Sequence, residues 1–146
     1  MTLKIYIDTS VYNRPFDDQT QPRIWLETQA LFVILQMIEV DDSELVSSSV
    51  LDYENSRNPL PQRQQWVSRC LQLAKSYQPM NEEIRVRGQE LETEGLGAID
   101  ALHLACAEAT EADYFLTCDD RLIRRYQGKL QVLNPVNFIV AITGEV

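Results

Sequence analysis

The tightest constraint on this chain lies at its amino terminus, in Leu3-Lys4-Ile5-Tyr6-Ile7-Asp8-Thr9-Ser10. Leu3, Ile5 and Ile7, with Tyr6 between them, read as a strand apolar on both sides. Such a strand belongs inside a sheet covered on both faces. It stops on a carboxylate followed by two hydroxyls. In parallel α/β sheets ligands bind beyond the carboxyl ends of the strands, so Asp8 is a candidate first member of an acidic, cation-binding cluster.

Composition narrows what surrounds that strand. The chain has 146 residues, enough for one domain with one core, and we expect a single domain over residues 1–146. The strand begins too early for a signal peptide, and no apolar run reaches the roughly 18 residues of a membrane span. Cys70, Cys106 and Cys118 are odd in number and widely spaced, which suits a reducing cytoplasm and offers no zinc site. His103 is the only histidine, so His-based metal sites and Ser-His-Asp triads lack material. The formal charge of −9 repels phosphate backbones. Either the protein avoids nucleic acid, or its acids hold cations that meet it.

Residues 13–21 form a polar loop. Thr20 as cap and Pro22 at the first helical position then open a helix to about Val40. Its apolar positions cover more than one face, which suits a deep helix or one that meets a second subunit. A short strand follows at residues 44–48, and Ser48 or Ser49 caps a helix carrying Glu54 that Pro59 and Pro61 end. The spacing predicts a helix from about Gln62 to Ser76, an edge strand at 77–80, and a charged helix capped by Asn81 and stopped by Gly95. Residues 98–107 are nearly all small or apolar and read as an enclosed helix. Strands at 114–117 and 129–133 frame a short basic helix, and Asn134-Pro135 caps a closing helix to about Ile142. Strands separated by helices imply βαβ units, a parallel sheet and helices on both faces: a three-layer α/β domain.

Asp8 and Asp119 each end an apolar strand, Glu54 lies about one turn past a helix cap, and Asp100 is in the first turn of the enclosed helix. In a parallel sheet all four can face one crevice. Asp100 is the most telling, because an unpaired carboxylate on an apolar helix costs several kcal/mol or protonates. Read singly, Asp100 could cap its helix, Asp8 could initiate an Asx turn, and Glu54 could be an exposed helical charge. No Arg or Lys adjoins Asp8, Glu54 or Asp100, so a cation from solution is the natural counter-charge. Oxygen ligands select Mg²⁺ or Mn²⁺, ions that support phosphodiester hydrolysis.

The segments Ile7-Asp8-Thr9-Ser10-Val11, Ser47-Ser48-Ser49 with Glu54, Asp100-Ala101-Leu102-His103-Leu104-Ala105 and Phe115-Leu116-Thr117-Cys118-Asp119 together resemble a PIN domain, in the order that family keeps. The resemblance implies a three-layer α/β/α fold with a central parallel sheet and Mg²⁺- or Mn²⁺-dependent endoribonuclease activity that leaves a 3′-hydroxyl and a 5′-phosphate. It also implies frequent service as the toxin of a VapC-type toxin–antitoxin pair, a homodimer silenced by a small antitoxin protein at the acidic site. Carried across, Asp8, Glu54, Asp100 and Asp119 match the metal-site acids. Ser10 matches the residue that orients a metal-bound water, and Thr117 the hydroxyl near the last acid. The T-x-D pattern selects Asp119, with Asp120 its neighbouring alternative.

His103 shares the helix face of Asp100 and is either a hydrogen-bond donor behind the site or a satisfied core residue. Arg14, Arg57, Arg121, Arg124 and Arg125 either meet the RNA backbone or form a solvated basic face. Two rival functions stand beside the ribonuclease. One is a catalytically silent PIN module that binds RNA or a protein partner. The other is a haloacid-dehalogenase-type phosphatase, disfavoured because that chemistry wants a second Asp where this chain has Ser10.

Overall fold

The computed structural model describes residues 2–144. Five parallel strands form one sheet: β1 (Leu3–Ile7), β2 (Ser43–Ser48), β3 (Ser76–Gln78), β4 (Tyr114–Leu116) and β5 (Gln131–Leu133). Their spatial order is β3-β2-β1-β4-β5. The chain builds outward from β1 to one edge, then returns to the other side of β1 and builds outward again. The order therefore reverses between β1 and β4, the switch point at which such sheets open a crevice.

Helices α1 (Thr9–Tyr12), α2 (Pro22–Glu39), α3 (Ser49–Ser56), α4 (Pro61–Leu71), α5 (Glu82–Glu92), α6 (Ala98–Ala109), α7 (Asp120–Arg125) and α8 (Pro135–Thr143) complete a three-layer α/β/α architecture. Alternation along β1 divides the core. Tyr6 stacks on Phe115 with ring centroids 5.3 Å apart, on the face that α6 covers. On the opposite face Tyr114 meets Phe138 of α8 edge-on at 4.9 Å. Ile5, Tyr6, Ile7, Leu45, Leu104 and Phe115 are all fully buried, each side chain contributing roughly 1.5–3 kcal/mol by leaving water. Helix α6 lies tight against α5, because a Cβ at Gly88 would sit 2.8 Å from Leu102 Cδ2. No helix among the described residues is long and apolar enough to cross a membrane.

Three caps fall where expected: Ser48 accepts the Leu51 N–H, Asn81 the Ile84 N–H and Asn134 the Val136 N–H. Several boundaries differ. Thr20 does not cap α2; its hydroxyl bonds Asp18, and Gln21 precedes the helix without a side-chain cap. The loop at 13–21 contains a 3₁₀ turn, Arg14–Phe16, and α1 begins directly after Asp8. Helix α4 ends at Leu71 rather than Ser76 because the Lys75 N–H is drawn to the Leu45 carbonyl, starting the edge strand β3 early. Pro61 opens α4, while α3 already ends at Ser56. Strand β5 begins at Gln131, two residues later than its apolar pattern suggests.

One buried charge ties the helices over the sheet together. Glu27 of α2 is fully buried and accepts from Arg14 Nε at 2.8 Å, from Arg23 Nε at 3.1 Å and from the Asn134 amide. Removing one member of a buried, hydrogen-bonded ion network leaves its partners unpaired. Glu27→Leu is expected to destabilise the fold by roughly 2–4 kcal/mol, read as a lowered urea midpoint with unchanged slope.

Candidate functional site

Asp8 leaves β1 in extended conformation, its N–H donating to the Leu116 carbonyl at 2.9 Å. The residue is only 5% exposed, yet among the described residues no basic side chain pairs with it. Oδ2 instead accepts two hydroxyl bonds, from Thr117 at 2.8 Å and Ser10 at 3.0 Å. Each hydroxyl also accepts a backbone N–H: Ser10 Oγ from Cys118, Thr117 Oγ1 from Asp119, both at 3.1 Å. The exits of β1 and β4 are thereby pinned together at the switch point. Ser10 stands where a phosphatase would need a second Asp, and it serves to orient Asp8.

Helix α3 carries Glu54 toward the same crevice. Glu54 Oε1 takes hydrogen bonds from Thr9 Oγ1 at 2.6 Å and His103 Nε2 at 2.8 Å. Burial pushes this carboxyl up, but His103, through its bond and its electrostatic effect, together with the Thr9 bond outweighs it and holds the group below its ordinary range. The nearest ligand atoms of Asp8, Glu54 and His103 lie within 4.8 Å of one another.

Asp100, in the first turn of α6, shares a pocket of about 200 Å³ with Asp119, Gly97, Arg121 and Arg125. Burial first, then the charges of Asp8, Asp119 and Glu54, push its carboxyl up to about 6. Asp100 thus feels the other three acids, while among the described residues Asp8 and Glu54, with His103, are the group that brings ligand atoms within 4.8 Å of one another. Asp119 caps α7, with Oδ1 accepting the Arg121 and Leu122 N–H groups at 2.9 and 3.3 Å, and Oδ2 makes no bond among the described residues. Asp120 points elsewhere: Arg23 grips both of its oxygens at 2.7 Å.

None of the ion pairs among the described residues involves Asp8, Asp100 or Asp119, whereas Glu27, Glu108 and Asp120 are each paired with arginine. Crowded, uncompensated oxygen donors suit a hard divalent cation. His103 is a poor ligand in this arrangement, because Nε2 is engaged by Glu54 and Nδ1 by Tyr6. Of the arginines considered, Arg14 is spent on Glu27 and Asp17, and Arg125 donates to the Gly95 carbonyl at 2.7 Å. Arg121 sits at the pocket with no ion-pair partner among the described residues. Sequence reasoning missed Thr9 and Tyr6 as polar members. A phenol in an otherwise aliphatic strand was the available signal for Tyr6, since buried tyrosine hydroxyls find partners.

An all-parallel sheet with an acidic crevice at its switch point sets the class of protein. The model of the PIN domain family matches residues 5–129, and the chain belongs to that family. Among solved structures it is similar to VapBC2 from Rickettsia felis bound to a DNA fragment from their promoter, with a TM-score of 0.57 and 18% identity over 90% of this chain and 98% of that one. It is also similar to PAE2754 from Pyrobaculum aerophilum, with a TM-score of 0.58 and 13% identity over 99% of this chain and 100% of the other. At such identities the likeness is one of fold. No curated protein sequence matches.

The burial of Asp100, reinforced by its acidic neighbours, has a measurable consequence. Its folded-state pKa of about 6 exceeds the ordinary 3.8, so the folded protein binds that proton more tightly. The resulting stability is fully present below the ordinary value and is lost as pH rises through about 6. In EDTA at pH 7.5, Asp100→Asn is expected to raise Tm by about 2–6 °C, after allowing for solvent screening. At pH 3.5 the gain should vanish, which paired thermal melts would read.

Proposed function

We propose that this chain is a Mg²⁺- or Mn²⁺-dependent endoribonuclease whose ion is held by Asp8, Glu54, Asp100 and Asp119. What supports the reading is that Asp8, Asp100 and Asp119 make no ion pair among the described residues and that Asp100 feels the charges of Asp8, Asp119 and Glu54, while acids elsewhere are matched to arginines. Such an ion, when bound, lowers the pKa of a coordinated water and offsets charge building on the phosphate.

The chain's own side chains prepare that chemistry. Ser10 and Thr117 fix the Asp8 carboxylate through Oδ2, so its orientation is set before any ligand arrives. Thr9 and His103 do the same for Glu54 through Oε1, while Oε2 has no hydrogen-bond partner among the described residues. Arg121, at the rim beside Asp100 and Asp119, is the cation placed to meet an RNA phosphate. The choice of RNA over DNA follows the family resemblance.

We further read the chain as the toxin of a toxin–antitoxin pair, held in check by a protein that covers the acidic crevice. The fold shared with the Rickettsia felis VapBC2 structure supports this, and a net charge of −9 favours a basic partner segment. The exposed apolar side chains Trp25, Leu26, Phe32 and Val33 of α2 support a homodimer. The three buried, unpaired cysteines agree with a cytoplasmic location.

The central test compares wild type with Asp8→Asn. Mn²⁺ binding by calorimetry and cleavage of a structured RNA should both fall, cleavage by roughly a hundredfold or more. Equal cleavage by the two proteins would sink the mechanism. Tight Mn²⁺ binding without cleavage of any RNA would instead favour the silent module. Sedimentation equilibrium should return a dimer, and Trp25→Glu with Val33→Glu should shift it toward monomer.

A further inference from the structure

Behind Glu54 runs a buried chain of polar groups that the proposed reaction does not itself use. Ser48 Oγ lies 2.7 Å from Tyr6 Oη, and Tyr6 Oη lies 2.7 Å from His103 Nδ1. His103 Nε2 completes the chain at 2.8 Å from Glu54 Oε1. Ser48, Tyr6 and His103 are all 0% exposed, and they come from β2, β1 and α6 respectively.

Donor and acceptor rules give this chain a direction. An ionised Glu54 can only accept, so Nε2 must carry a proton. In a neutral ring Nδ1 is then an acceptor, and Tyr6 must donate to it. The Tyr6 oxygen is left to accept from Ser48, whose own oxygen accepts the Leu51 N–H at 3.1 Å. Every buried polar atom of the chain has a partner in this arrangement.

We infer that Ser48, Tyr6 and His103 form a positioning relay that holds the Nε2–H of His103 on Glu54 and so orients the Glu54 carboxylate. The relay closes on itself. Ser48 caps α3, the helix that carries Glu54, while its hydroxyl starts the chain that ends on the Glu54 carboxylate. Backbone and head group of one acid are therefore set by the same serine. Tyr6 is held on its other side by its stack on Phe115, so the hydroxyl has no freedom to turn away. Outer partners of this kind fix ring orientation and ligand basicity at metal sites. The inference rests on the reading of Glu54 as a cation-holding acid.

Because His103 is the only histidine, its ring nitrogens are unambiguous in a nitrogen-15 NMR spectrum. In metal-free protein we expect Nε2 to carry a proton that is protected from exchange. Tyr6→Phe keeps the ring stack and should move the Nδ1 resonance while weakening Mn²⁺ binding roughly tenfold. His103→Gln, which can still offer an N–H to Glu54, should bind Mn²⁺ more tightly than His103→Leu. An unprotonated Nε2 in the wild type, or a Tyr6→Phe protein that titrates Mn²⁺ like wild type, would overturn the relay. Absence of Mn²⁺ binding in the wild type would overturn the cation reading and the relay's purpose with it, whatever the tautomer.

Discussion

The structure depends on how one buried carboxylate is kept in place. Asp8 sits at the exit of the central strand, and two hydroxyls hold its Oδ2 where an arginine would ordinarily stand. Hydroxyl donors orient a carboxylate without cancelling its charge. Because Thr117 lies 109 residues away, the same bond also locks β1 against β4 at the point where the sheet reverses its order. Anchoring and the proposed cation-binding role thus share one interaction: the groups that pin the strand exits are those that orient Asp8.

Charge is divided along the same line. Arg14, Arg23 and Arg87 are committed to Glu27, Asp120 and Glu108, which join helices to one another. The crevice acids receive none of them, and the price of that arrangement appears at Asp100, whose proton is held to about pH 6. An unmatched acidic cluster weakens a fold unless a ligand of opposite charge offsets it. The overall charge of −9, which would argue against a phosphate-binding partner if spread evenly, is partly concentrated where a divalent cation can reverse its local effect.

Much of this was legible from short-range signals. Alternation in Leu3–Ile7, the small apolar run from Ala98, and the caps Ser48, Asn81 and Asn134 all act over a few residues, so each could be recognised locally. The limits of α4 and β3 were misplaced because Lys75 answers to a carbonyl on β2, a partner no local pattern reveals. Asp119 and Asp120 are adjacent and chemically alike. Arg23, 97 residues from Asp120, separates them by taking one away. Tyr6 read as core and is core, but its hydroxyl has a second occupation that only its neighbours disclose.

By itself the sequence determined the strand and helix periods, the parallel α/β class, the family resemblance and the set of acids worth considering. These follow from periodicity, capping and residue chemistry, which are properties of neighbouring positions. Tertiary structure decided which oxygen of each acid is occupied, which arginines are already spent, and that His103 stands behind Glu54 with both nitrogens engaged. Those outcomes depend on strand register and helix placement, which bring together groups up to 109 residues apart. A carboxylate's role is set by what lies within hydrogen-bonding distance of it, and that distance exists only once the chain has folded.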